Sequence, residues 1–144
     1  PRRPLLPDPP GLVGSADLDG DGREERVLVD AAGRVSVQRA GPGGGWVEIA
    51  HATGYAAHRA DAAAPVRALL VDVMRAGHPQ IVVAAVERNC LDVLALAGDA
   101  LRRVGSLTCG APLVGDLVIA DVDDDGNDDI VAARQRSQIE MFLR

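Results

Sequence analysis

Asp17-Leu18-Asp19-Gly20-Asp21-Gly22-Arg23-Glu24-Glu25 and Asp121-Val122-Asp123-Asp124-Asp125-Gly126-Asn127-Asp128-Asp129 decide the reading of this chain. Both stretches sit between short aliphatic runs. Leu12-Val13-Gly14-Ser15-Ala16 precedes the first and Arg26-Val27-Leu28-Val29 follows it; Leu117-Val118-Ile119-Ala120 and Ile130-Val131-Ala132-Ala133 flank the second. Continuous β-branched runs of this length predict strands rather than helices. A third copy, Asp72-Val73-Met74-Arg75-Ala76-Gly77-His78-Pro79-Gln80, lies between Ala68-Leu69-Leu70-Val71 and Ile81-Val82-Val83-Ala84. Fixed spacing at this period marks a repeated supersecondary unit that cannot bury its own faces.

Outward from each loop the pattern predicts a four-stranded meander. Arg34-Val35-Ser36-Val37-Gln38 and Gln138-Ile139-Glu140-Met141-Phe142 alternate as third strands. Trp46-Val47-Glu48-Ile49 and Leu101-Arg102-Arg103-Val104 read as fourth strands, and Gly/Asp turns separate them. The fold class expected is therefore all-β: three antiparallel, propeller-like blades in an open arc, with the inner strands buried and the third blade incomplete. The divisions are a Pro-rich tether or edge strand at 1–10, a blade at 11–50, a connection at 51–65, a blade at 66–110 and a last blade at 111–144. Residues 3 to 8 are a candidate for the missing outer strand, tolerable only at a sheet edge because of their prolines. The opening Pro1-Arg2-Arg3-Pro4 lacks a methionine and reads as a processed chain or a piece of a longer one.

The acidic loops point to calcium. Carboxylates at positions 1, 3 and 5 converge when a chain curls around a cation, and calcium takes six to eight hard oxygen ligands. Glycine at position 6 allows the sharp turn. The expected ligands are Asp17, Asp19, Asp21 and Glu25 in one loop and Asp121, Asp123, Asp125 and Asp129 in the other. Arg23 and Asn127, at position 7, would contribute main-chain carbonyls. Five or six carboxylates within nine residues repel one another without a cation, so an ordinary acidic turn is the weaker reading. Magnesium fits less well because it demands strict octahedral geometry. An EF-hand needs flanking helices and a ligand at position 12, so it is disfavoured. The middle loop keeps Asp72 and Gly77 but loses the other acids. It is expected to be metal-free, with Arg75 beside Asp72 in the cation's stead.

Asp-x-Asp-x-Asp-Gly-x-x-Asp/Glu between two apolar strands, repeated at about 50 residues, resembles the FG-GAP/VCBS repeats of integrin-α-type β-propellers. The resemblance spans roughly residues 12 to 144. It implies two structural calcium ions per chain and extracellular adhesion or ligand recognition. The aromatic and glycine cue that gives FG-GAP its name is missing here, and three blades are fewer than the four of the smallest closed rings. An open arc exposes blade faces, so the expected partners are a second copy of the chain or another protein supplying blades, in a ring or a filament.

Cys90 and Cys109 lie symmetrically about Gly98-Asp99. An unbulged hairpin would set them opposite each other and make a disulfide, which with calcium argues for an extracellular, cell-surface or periplasmic setting. His51, His58 and His78 read as solvated loop residues. A net charge of −6 disfavours nucleic acid, and no apolar run is long enough to cross a membrane. All 15 basic residues are arginine, which fits a GC-rich coding sequence and carries no functional weight. No nucleophile–base pattern, phosphate loop or dinucleotide fingerprint points to an enzyme. A glycan-binding role would have to rest on Trp46 and Tyr55, because aromatics are only 2% of the chain.

Overall fold

The computed structural model describes residues 10–55, 67–110, 113–134 and 138–142. Among these residues, eleven strands form three antiparallel sheets. The first contains β1 (Gly11–Ala16), β2 (Glu25–Val29), β3 (Val35–Ala40) and β4 (Trp46–Ala52), in that spatial order. The middle sheet holds β5 (Ala68–Val71), β6 (Gln80–Ala85), β7 (Cys90–Ala97) and β8 (Ala100–Thr108). The third has three strands, β9 (Leu113–Ala120), β10 (Asp129–Arg134) and β11 (Gln138–Phe142). Among the described residues there is no α-helix, only a 3-10 turn at Val86–Arg88. The candidate edge strand at 3–8 and most of the connection at 51–65 lie outside the described residues; His51 belongs to β4 rather than to a loop.

The sheets pack in series without closing. Every strand of the middle sheet has one set of side chains toward the first sheet and the alternate set toward the third. Ile81, Val83, Ala85, Leu94 and Leu96 join Val27, Val29, Val35 and Val37 in one core. Val82, Ala84, Leu91 and Val93 join Leu117, Ile130 and Ala132 in the other. Each sheet therefore has a front face, toward the sheet before it, and a back face, toward the sheet after it. A buried valine or leucine contributes about 1.5–3 kcal/mol, so these two aliphatic layers hold the array together with almost no aromatic help.

Burial corrects one expectation. The strand before each loop is not an inner, doubly buried strand: β1 and β5 are only partly covered, whereas β6 is buried throughout. The first strand of each sheet is an edge; the second is central in all three sheets, and the third is central in the two four-stranded ones.

A bulge corrects a second. Val93 pairs with Gly105 and Leu94 with Arg103, so Val104 is an extra residue in β8. Cys90 then faces Thr108, not Cys109. A one-residue slip turns a side chain to the opposite face. Accordingly Cys90 joins the front core and Cys109 the back core, and the two are separate thiols rather than a disulfide. The same irregularity recurs at the equivalent place in the first sheet, between Val37 and Gln38, with Ile49 as the extra residue of β4.

Candidate metal-binding loops

All three loops share one backbone. Position 6 has φ of 84° at Gly22, 83° at Gly77 and 84° at Gly126. Position 4 is also left-handed, with φ of 78° at Gly20, 54° at Arg75 and 58° at Asp124. Glycine carries such angles freely; Asp124 tolerates them and Arg75 is the least suited. The first aspartate holds the curl in place by accepting the position-6 N–H. The distances are 2.8 Å for Gly22 to Asp17 Oδ2, 2.9 Å for Gly77 to Asp72 Oδ2 and 3.0 Å for Gly126 to Asp121 Oδ2. Backbone donors of its own loop, Gly22 foremost and then Gly20, Asp21 and Asp19, hold the Asp17 carboxyl below its ordinary pKa, with desolvation opposing them.

Position 9 opens the second strand and is buried in every copy: Glu25, Gln80 and Asp129 are 0%, 2% and 0% exposed. Glu25 Oε2 accepts the Leu18 N–H at 3.0 Å, and Asp129 Oδ2 accepts the Val122 N–H at 3.0 Å. Oxygens of Asp17, Asp19 and Glu25 lie within 4.8 Å of one another, as do those of Asp121, Asp123 and Asp129. Oxygens sharing one metal ion at ~2.4 Å can be no more than ~4.8 Å apart, so each of these acidic triads could hold a metal ion. Asp21 and Asp125 stand slightly aside, each accepting the position-7 N–H (Arg23 or Asn127) at 2.8 Å.

The middle loop shows what replaces a charge at this place. Gln80 Nε2 donates to the His78 carbonyl at 2.6 Å and reaches Asp72 Oδ1 at 3.4 Å, while Gln80 Oε1 accepts the Met74 N–H at 2.9 Å. Asp72 is position 1 and His78 is position 7. The amide, not the expected Arg75 guanidinium, thus bridges the carboxylate and the carbonyl. His78 is not a solvated histidine either: it is partly buried, it lies against Gly20 of the neighbouring loop, and its Nδ1 is buried without a hydrogen-bond partner.

Two further groups were not legible in the loop motif. Arg39, from β3, leans over the first loop. Its Nε donates to Glu25 Oε1 at 2.7 Å, its Nη2 to Asp19 Oδ2 at 2.8 Å, and its Nη1 lies 3.6 Å from Asp21 Oδ2. The pairing of Glu25 with Arg39 across β2 and β3 places it there; only a register could have revealed it. The second group centres on Asp92, 0% exposed on the front face of β7. It accepts hydrogen bonds from Tyr55 Oη (3.2 Å), Arg88 Nη2 (2.5 Å) and the Ser106 hydroxyl, with Cys90 Sγ at 3.5 Å. Burial alone would raise the Asp92 pKa, but Ser106, Arg88, Cys90 and Tyr55 together bring it below the usual range. The Arg88 guanidinium also lies 5.9 Å from the Tyr55 ring centre.

No helix among the described residues is long and apolar enough to cross a membrane. No family model, no curated protein and no solved structure matches the chain.

Proposed function

We propose that this chain is a calcium-stabilised interaction module that takes one ion in each acidic loop, with Asp17, Asp19, Asp21 and Glu25 or Asp121, Asp123, Asp125 and Asp129 as carboxylate ligands. Arg23 and Asn127 supply carbonyls. The observation that carries the reading is the middle loop, where the Gln80 amide donates to Asp72 and His78, the position-1 and position-7 groups assigned to the cation elsewhere. Where the acids are lost, a hydrogen-bond donor takes over the same bridge. Calcium would pin each sheet's edge strand to its central neighbour, a structural role rather than a chemical one. That fits the FG-GAP/VCBS-like motif, a propeller-like placement of the sheets and an extracellular setting rich in calcium. The separate thiols remove the disulfide from the arguments for that setting.

The glycan-binding alternative loses its aromatic platform. Tyr55 is 5% exposed and tied to Asp92, and one face of Trp46 is covered by Arg26 at 4.3 Å from the ring centre.

Native mass spectrometry in calcium tests the proposal. Two ions per chain are expected, one in Asp19→Ala and one in Asp123→Ala, each variant melting lower than the parent in calcium. A parent chain that binds no calcium, or variants that retain both ions, would overturn it.

A further inference from the structure

The first and middle loops bury position 9 alike but answer it differently. Glu25 is 0% exposed and Gln80 is 2% exposed. A buried carboxylate is costly unless a cation or several donors meet it, whereas a buried amide needs only hydrogen bonds. The residue across the sheet changes accordingly. Glu25 pairs with Arg39 of β3. In the middle sheet Ile81 pairs with Leu94, so the residue at the matching place of β7 is Ala95. A guanidinium stands opposite position 9 where that position is charged. Alanine stands there where position 9 carries its own N–H donors.

Arg39 holds particular oxygens. Within the loop, the Leu18 N–H takes Glu25 Oε2 and the Asp21 N–H takes Asp19 Oδ1. The guanidinium takes the other oxygen of each carboxylate: Nε donates to Glu25 Oε1 at 2.7 Å and Nη2 to Asp19 Oδ2 at 2.8 Å. On Asp19 and Glu25, these are the oxygens that the loop's own backbone leaves to a cation. A calcium ion seated on them would meet the guanidinium at contact distance, where two cations repel strongly. The two cannot be seated together. The Arg39 side chain is 23% exposed, so its head group already borders the water into which it would turn.

We propose that the first loop is a calcium-exchange switch with two closed states. In one, Arg39 bridges Asp19 and Glu25; in the other, calcium takes their oxygens and the guanidinium is released to solvent. The switch rests on calcium occupying the first loop, as proposed above, and adds how that one site exchanges its ion. A cation neutralises Glu25 in both states, so Glu25 keeps its bond to Leu18, which is 1% exposed in the core between the first two sheets. The edge strand β1 thus stays tied to β2 with or without calcium. The first loop answers calcium by freeing one positive charge, not by folding. In the middle loop the Gln80 amide closes the turn and leaves no charge to exchange.

Nitrogen-15 NMR of the arginine Nε–H groups during a calcium titration tests it. The variant Asp123→Ala serves best, because it is expected to keep the first site alone. The Arg39 Nε–H signal, identified by its loss in Arg39→Lys, should be protected from solvent exchange in chelator. Calcium is expected to cut that protection about tenfold or more, as for the loss of a charge-assisted hydrogen bond, in step with uptake of one ion counted by native mass spectrometry. Should Asp123→Ala fail to fold, the parent chain gives the same reading, with the signal changing as one of its two ions enters. Calcium uptake in full that leaves the Arg39 Nε–H protected would overturn the switch and leave the calcium reading standing. A chain that takes no calcium would overturn both.

Discussion

Arg39 shows how one side chain can set the behaviour of a metal loop. Its guanidinium neutralises part of the first acidic cluster from the adjacent strand, in contact with Asp19 and Glu25. These carboxylates are also two of the proposed calcium ligands, so arginine and calcium compete for them. Arg39→Ala is expected to strengthen calcium binding at the first loop about tenfold, or ~1.4 kcal/mol. It should also lower the melting temperature without calcium, because the carboxylates then repel one another unrelieved. Calorimetric titration and melting in chelator read the two effects; weaker calcium binding in the variant would mean that Arg39 orients the ligands rather than competing with them. The middle loop makes a related point. Gln80 differs from glutamate only by an NH2 in place of one oxygen, and that NH2 donates to the His78 carbonyl and reaches Asp72.

At the scale of the element, the bulge in β8 decides the state of the cysteines. Val104 is one residue, but it displaces the far end of the strand by one position and turns Cys109 to the other core. Thiol titration in denaturant without reductant should find two reactive groups per chain. Native protein should react slowly, since both thiols are buried and the Cys90 thiol is pushed up in pKa by burial and then by the nearby Asp92 charge. A disulfide-linked chain would contradict the register. The loops, by contrast, are local devices. Their curl depends on Asp at position 1 and glycine at position 6, both within a few residues of each other, which is why all three copies share it despite different side chains.

The whole molecule depends on its middle sheet, which supplies a face to both cores. Asp92 sits at one of those junctions and ties the first sheet's exit, at Tyr55, to the middle sheet. Its folded pKa is depressed, so its contribution is present above the unfolded value of about 3.9 and is lost as pH falls through the folded value. Melting temperature should therefore drop on acidification below about pH 4, and Asp92→Asn should flatten that drop. At neutral pH the variant is expected to lose about 2–4 kcal/mol, because Arg88 and the Ser106 hydroxyl are left with a weaker acceptor. Denaturant unfolding at pH 7 and pH 3 reads both. Equal acid sensitivity in parent and variant would place the titrating group elsewhere.

The sequence by itself determined the all-β class, the three repeats, the strands nearly residue by residue around each loop, and the two acidic loops with their odd middle sibling. All of these are local: strand propensity, turn chemistry and carboxylate spacing act within about ten residues, and repetition reinforced each reading. Tertiary structure alone decided the rest. Which strand of a sheet is an edge, which face meets another sheet, where Arg39 and Gln80 direct their donors, and on which side Cys109 falls all depend on register and packing. A single inserted residue reverses a face without altering composition or pattern, so a period of two in the sequence could not reveal it. The polar character of the first sheet's front face was visible in Arg26, which stands where the later repeats have Ile81 and Ile130. It acquired meaning only when the sheets were seen to stack in order, because only then does each position have a neighbour, or lack one.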